Sequence, residues 1–237
     1  MSAETELSGP EQGKRAAGAM ALAMVEPGMK LGLGSGSTAE WFVRLLGESG
    51  LRPDCASTSK RTGALAEECG LKIWSIDHFT GLDLTIDGAD EIDPQLNLIK
   101  GGGGCHLIEK IVARASRDLV IIADDRKLVS ELGAFSLPIE IAKQGWQTTQ
   151  RMVRAVLADA DVDGRTMTRR MVGELPFMTD EGNYIIDLDL IRIGDAYALG
   201  GQLNALPGVI ENGLFLDMAS RAFIGSADGT ARLVERL

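Results

Sequence analysis

The chain is poor in the residues that build metal and redox centres. It has two histidines, His78 and His106, and three cysteines, Cys55, Cys69 and Cys105. An odd cysteine count with no CxxC pair indicates neither a disulfide framework nor a zinc knuckle, and two histidines are too few for a His-rich metal site. No apolar run approaches the roughly 18–20 uncharged residues of a membrane span. The opening MSAETELSGPEQG has no basic stretch leading into an apolar one, so a secretory leader is not expected. Basic blocks are missing too, with 24 Lys and Arg against 34 Asp and Glu and a net charge of −10. Without clustered cations, nonspecific binding along nucleic acid is not expected. The chain therefore reads as cytoplasmic, with no nucleic-acid or membrane partner. What is present is a 45% hydrophobic fraction, ample for a buried core, and 29 glycines, which point to tight turns and closely approached backbone.

Along the 237 residues the pattern alternates. Ser8-Gly9-Pro10-Glu11 has capping-box spacing and predicts a helix over Gln12–Val25, stopped by Pro27-Gly28. Met29–Leu33 reads as a strand that runs into Gly34-Ser35-Gly36-Ser37-Thr38 and a helix over Ala39–Leu46. Further helices are expected at Thr62–Cys69 and His106–Ser116, and further strands at Leu71–Ile76, Leu82–Ile86 and Leu119–Ala123. This order predicts an α/β fold with a Rossmann-like, doubly wound, mostly parallel sheet. Beyond Leu137-Pro138 the pattern changes. A helix at Thr148–Leu157, a strand at Thr166–Val172, a turn at Asp180–Asn183 into Tyr184–Leu188 and a helix at Asp195–Leu206 suggest a smaller α+β, ferredoxin-like module. The expected division is a catalytic domain of residues 1–136 and 208–237, and a small domain of 137–207 that carries oligomer contacts.

Ligands of open α/β sheets bind outside the carboxyl ends of the strands, so chemistry is sought there. The sequence GLGSGST at Gly32–Thr38 lacks both the dinucleotide G-x-G-x-x-G spacing and the P-loop lysine. It fits one phosphate monoester at a helix N-terminus, or an ordinary tight turn with a Ser/Thr cap. Asp87-Gly88-Ala89-Asp90 ends a buried strand, where the two acids either hold sugar hydroxyls or cap the next element. Lys100-Gly101-Gly102-Gly103-Gly104 sits between apolar Leu96–Ile99 and a helix, a setting that favours an anion or oxyanion cradle over a flexible linker. Glu109 lies one turn into that helix, where an acid can serve the macrodipole alone. Lys127, past Asp124 at another strand end, reads by itself as a surface lysine. Together these residues are the equipment for cofactor-free, metal-free proton transfer on a small phosphorylated, hydroxylated substrate.

GLGSGST, TIDGADEID, KGGGG followed by EK, and IADDRK, in this order and with LPIEI and LPGVIENGLF downstream, resemble the ribose-5-phosphate isomerase type A family. The resemblance implies interconversion of ribose 5-phosphate and ribulose 5-phosphate in the non-oxidative pentose phosphate pathway, without a cofactor, by a homodimer or homotetramer. It implies that Glu109 is the base, that Asp87 assists ring opening and that Asp90 holds hydroxyls. Lys100 with the N–H groups of Gly101, Gly102 and Gly103 would stabilise the oxyanion. Ser35, Gly36, Ser37 and Thr38, with Lys127 and Lys14, would grip the phosphate. The chain departs from the family pattern at Ser35, often Thr, at Ile108, where Arg is common, and at Cys105 and His106, where small or apolar residues are usual. His106 is thereby the rival to Glu109 as base. A sugar-phosphate-sensing module would need a helix-turn-helix, for which the leader before Gln12 has no room. A related deaminase or lactonase would not require DGAD and KGGGG together.

Overall fold

Lys30-Leu31-Gly32-Leu33 is short and buried over its last three residues, and forms the strand around which the first unit is wound. The computed structural model describes residues 7–236; residues 1–6 of the acidic leader, and residue 237, lie outside the described residues. The chain crosses four times between two compact units. The first holds residues up to Gly88, Val112–Lys127 and Ala219–Arg236, and the second holds Ala89–Ile111 and Leu128–Met218.

In the first unit, α1 (Gly9–Leu22) carries Pro10 in its first turn, where a missing N–H leaves no bond unmade. Ser8 is its N-cap, but the predicted capping box does not form: the Ser8 side chain caps nothing. Glu11 instead accepts from Lys14 Nζ and Trp41 Nε1, each at 2.7 Å. The Lys14 bond, then the Trp41 bond, hold its carboxyl below the ordinary range. An ammonium is a stronger donor to a carboxylate than a backbone N–H, which explains the exchange. Then follow β1 (Lys30–Leu33), α2 (Ser37–Glu48), β2 (Asp54–Ser57), α3 (Lys60–Glu68), β3 (Lys72–Ile73) and β4 (Leu84–Asp87). After β5 (Glu91–Ile92) and β6 (Leu98–Ile99) of the second unit, α4 (His106–Arg114) leads back to β7 (Leu119–Asp124).

Seven strands order as β3-β2-β1-β4-β7 and then two C-terminal strands, β15 (Arg221–Gly225) and β16 (Ala231–Glu235). All pairs are parallel except β15 with β16. Every residue of β7 is buried, as a strand covered on both faces requires. The winding reverses between β1 and β4, which makes their carboxyl ends the topological switch point. Leu31, Leu33, Phe42, Ile86, Val120 and Ile122 share one core. Burying a side chain such as Phe42 contributes about 2 kcal/mol.

The second unit runs β8 (Leu137–Ile141), α5 (Trp146–Asp159), β9 (Thr166–Arg169), β10 (Met171–Val172), β11 (Leu175–Pro176), β12 (Tyr184–Asp189), α6 (Ala196–Asn204), β13 (Val209–Asn212) and β14 (Leu214–Phe215). Its antiparallel sheet, ordered β13-β8-β12-β9 and wound βαββαβ, has the ferredoxin-like arrangement. Asp195 caps α6 by accepting from Ala198 N–H. A smaller sheet, β14-β6-β5, accompanies it. The sequence placed everything up to residue 136 in the first domain. In the structure 89–111 and 128–136, and also 208–218 of the C-terminal segment expected there, belong with the second unit, where Glu91 accepts from Gly133 and Phe135 N–H. The expected strand Thr166–Val172 is interrupted at Arg170, and β10 pairs with β11 in its own hairpin. No helix among the described residues is long and apolar enough to cross a membrane.

Candidate active site

β1 ends at Leu33, and the chain turns through Gly34, Ser35 and Gly36 into α2. Gly34 is required by close approach: a Cβ there would lie 2.1 Å from Asp87 Oδ1. Asp87, the fully buried last residue of β4, accepts at that oxygen from Ser35 N–H (3.0 Å) and Gly88 N–H (2.7 Å). The turn is thus bound to the acid that the sequence singled out beside it. Gly36 takes φ +98 at the N-cap, and no side chain caps α2. The first-turn N–H groups, with the exposed Ser37 and half-buried Thr38, keep their capacity for an anion. The Ser35 hydroxyl is used differently. It lies 2.8 Å from Thr58 Oγ1, 2.8 Å from Ser59 Oγ and 3.1 Å from Thr62 Oγ1. Thr58 and Thr62 in turn donate to the carbonyls of Leu33 and Gly34. Ser35 therefore shapes the turn by side chain, and Thr58, Ser59 and Thr62 support the candidate site from behind, a role that the sequence reading passed over. Their signal was the hydroxyl-rich cap Ser57-Thr58-Ser59 following an unrecognised strand, β2.

Lys127 ends the short helical turn Asp125–Lys127 that follows β7. Before it, buried Asp124 accepts from Arg126 Nε (2.8 Å) and Nη2 (3.1 Å). Burial raises the Asp124 carboxyl, but the Arg126 hydrogen bonds and charge, with Lys127 nearby, outweigh it and leave it below the ordinary range. Lys14 sits in α1, paired with Glu11.

The second unit holds the remaining predicted residues. Asp90 precedes β5 and Lys100 follows β6; Asp90 N–H donates to Ile99 O and Lys100 N–H to Gly213 O. The glycine run closes as a turn, with Gly104 N–H on Gly101 O at 2.9 Å. Gly102 N–H donates to Asp90 Oδ2 at 2.8 Å, and a Cβ on Gly102 would meet that carboxylate at 2.8 Å. Lys100 Nζ and Glu109 Oε1 are 3.3 Å apart, with Lys100 2% and Glu109 4% exposed. At that depth a charge is held only against an opposite one. The ring of Phe215 lies 5.5 Å from Lys100 Nζ and 4.9 Å from Lys110 Nζ. Lys110 also donates to Glu211 Oε1 and to Asn212 O. A buried carboxylate, a buried ammonium and backbone donors are thereby gathered in one segment of chain, groups of the kind that enolisation next to a carbonyl needs.

His106 is fully buried, with Nε2 3.3 Å from Glu211 O and Nδ1 without a hydrogen-bond partner among the described residues. It packs on Gly101, whose added Cβ would meet Nδ1 at 2.7 Å. Burial above all pushes its pKa down to about 4, so the ring is neutral near pH 7. Between about 4 and the ordinary 6.5 the unfolded chain binds a proton that the folded one does not. Stability should therefore fall by up to about 3 kcal/mol as pH drops through that window. Denaturant unfolding against pH checks this, and His106→Gln should flatten the slope. An unchanged slope would show that His106 titrates normally.

Among the described residues no three His, Cys, Asp or Glu side chains group as a metal site would need. The family model for ribose 5-phosphate isomerase A (phosphoriboisomerase A) matches residues 54–229. A ribose-5-phosphate isomerase A of Ruegeria pomeroyi is 52% identical over 232 residues, covering 96% of this chain and 88% of its own. A D-ribose-5-phosphate isomerase solved in complex with phospho-erythronic acid superposes with a TM-score of 0.87 at 36% identity, over 95% of this chain and 99% of its own. The ribose 5 phosphate isomerase A of Neisseria gonorrhoeae gives 0.88 at 34% identity, over 98% and 100%. On the family match, this identity and this coverage, the chain belongs to the ribose 5-phosphate isomerase A family.

Proposed function

We propose that Glu109 is the base with which this member of the family interconverts D-ribose 5-phosphate and D-ribulose 5-phosphate. The observation that carries the assignment is the buried Lys100–Glu109 pair at 3.3 Å, next in sequence to the glycine run. Asp87 assists opening of the sugar ring, and Asp90 holds hydroxyls. In the open-chain aldose the Glu109 carboxylate takes the C2 proton, and the C–H electron pair becomes the C1=C2 bond of an enediolate. Lys100 and the N–H groups of Gly101, Gly102 and Gly103 stabilise the developing oxyanion. As Glu109 gains the proton, its hold on Lys100 weakens and the ammonium's charge becomes available to the enediolate oxygen. Return of the proton from Glu109 to C1, with transfer of the O2 proton to O1, yields the ketose and needs no redox partner.

The N–H groups at the start of α2, with Gly36, Ser37, Thr38, Lys127 and Lys14, take the 5-phosphate, and Ser35, bonded to Asp87, Thr58, Ser59 and Thr62, holds the turn that presents them. Phospho-erythronic acid, the ligand of the similar isomerase, pairs a phosphate with a carboxylate whose two oxygens mimic an enediolate; we assign it as a ligand of this chain. Oligomerisation through the second unit, as a homodimer or homotetramer, is supported by its exposed apolar side chains, among them Val172, Leu175, Ile191 and Tyr197. The free cysteines Cys55, Cys69 and Cys105 suit the reducing cytoplasm. Incubation with ribose 5-phosphate should produce ketose at the same rate with and without a chelator. No ketose would sink the assignment, and chelator-sensitive turnover would overturn the metal-free mechanism.

A further inference from the structure

We propose that Arg170 is a positioning residue for the oxyanion cradle: it fixes the direction of the glycine-loop N–H groups without touching substrate. This rests on the isomerase mechanism above. Arg170 stands in the break between β9 and β10, held at both ends of its backbone. Its N–H donates to Ile185 O, and its carbonyl accepts from Phe177 N–H, each at 2.9 Å. Its side chain is 16% exposed and forks onto Asp187 of β12, with Nε donating to Oδ2 at 2.9 Å and Nη2 to Oδ1. That two-point bond fixes the guanidinium plane and leaves Nη1 aimed at the glycine loop. Nη1 donates to Gly101 O and to Gly102 O, 3.0 Å each.

The consequence follows from peptide geometry. The chain has no cis peptide bonds among the described residues, so each N–H points opposite to the carbonyl of the residue before it. With the carbonyls of Gly101 and Gly102 both drawn to one nitrogen, the N–H groups of Gly102 and Gly103 both point away from Arg170. Gly102 N–H is found where this predicts, on Asp90 Oδ2. Two successive N–H groups turned to one side form an anion-binding nest, whose Gly102 donor is held by Asp90 Oδ2 in the free chain and passes to the oxyanion when substrate enters. The guanidinium charge on the carbonyl side polarises both peptide units, making their N–H groups better donors. Four glycines have no side chains with which to hold such a conformation, and Gly101 stands at φ +101. The hairpin stem supplies the restraint instead: the Phe177 ring, 5.7 Å from the Arg170 guanidinium, lies against Gly104.

The test compares wild type, Arg170→Ala and Arg170→Lys. Misaligned donors cost about 30- to 100-fold in kcat, so Arg170→Ala should lose that much while KM stays within about threefold and the thermal midpoint within about 5 °C. Arg170→Lys should recover little, because an ammonium cannot fork onto Asp187 and reach two carbonyls at once. Added methylguanidinium should restore part of the Arg170→Ala rate, and amide exchange at Gly102 and Gly103 should speed up in that variant. Wild type that makes no ketose overturns the isomerase mechanism and this catalytic role with it. Active wild type with Arg170→Ala within twofold in kcat overturns the Arg170 role alone. So does a variant in which kcat, KM and stability fail together and methylguanidinium restores nothing.

Discussion

Glu109→Gln is expected to fold, to bind phospho-erythronic acid and to lose about 10³-fold in kcat. The substitution is nearly isosteric and leaves an amide that still accepts from Lys100, so the surroundings of residue 109 need not rearrange. What disappears is the lone pair that can carry a proton at neutral pH. The ammonium of Lys100 remains, now without its 3.3 Å carboxylate, which costs the free protein about 3 kcal/mol of stability. An anionic ligand supplies the missing charge, so affinity for such a ligand should hold or rise. Three measurements separate a lost base from a damaged fold: kcat at saturating substrate, calorimetric affinity for phospho-erythronic acid, and deuterium uptake from heavy water at C1 and C2 of the sugar. Uptake should vanish with turnover. A kcat within tenfold of wild type would remove Glu109 from the role of base.

Lys100→Met is expected to show the second large effect, on two observables at once. Lys100 is 2% exposed and Glu109 4%, and removing one member of a buried pair leaves the other as an uncompensated charge. The folded state should lose about 3 kcal/mol, and the missing oxyanion partner should lower kcat by about 10²- to 10³-fold. The double variant Lys100→Met/Glu109→Gln discriminates further. It buries no lone charge, so it should regain most of the stability lost by Lys100→Met. If both residues serve one proton-transfer step, its kcat should be close to that of the worse single variant rather than the product of the two losses. Urea unfolding and steady-state kinetics on the three proteins suffice. Independent, multiplicative rate losses would mean that the pair does not act as a unit.

Much of the first unit was legible because its signals are local. A fully apolar run such as Leu119–Ala123 has few fates other than a covered strand, and glycine turns mark where each strand ends. Segments whose identity depends on partners were less visible. Asp54–Ser57 carries two polar residues in four and becomes a strand because β1 and β3 flank it. The two-residue strands β5 and β6 exist through pairing with each other and with β14. Ser8-Gly9-Pro10-Glu11 illustrates the reverse, a correct local pattern that loses to distance: Trp41, 30 residues away, and Lys14 compete for the carboxylate.

The candidate site divides in the same way. Lys100, the glycines and Glu109 lie within ten residues, so their proximity follows from a turn and the first coil of a helix. Thr58, Ser59 and Thr62 around Ser35, and Arg170 on the glycine carbonyls, come from 23 to 69 residues away, and no spacing rule reaches that far. The sequence by itself determined which chemical groups the protein owns and that they lie at strand ends. Tertiary structure alone decided their state: that Lys100 and Glu109 share one buried charge pair, that His106 is neutral, and that a tetraglycine run has one backbone conformation. Composition sets which groups exist. Burial and the direction of hydrogen bonds, which set their charge and aim, arise only when distant segments pack together.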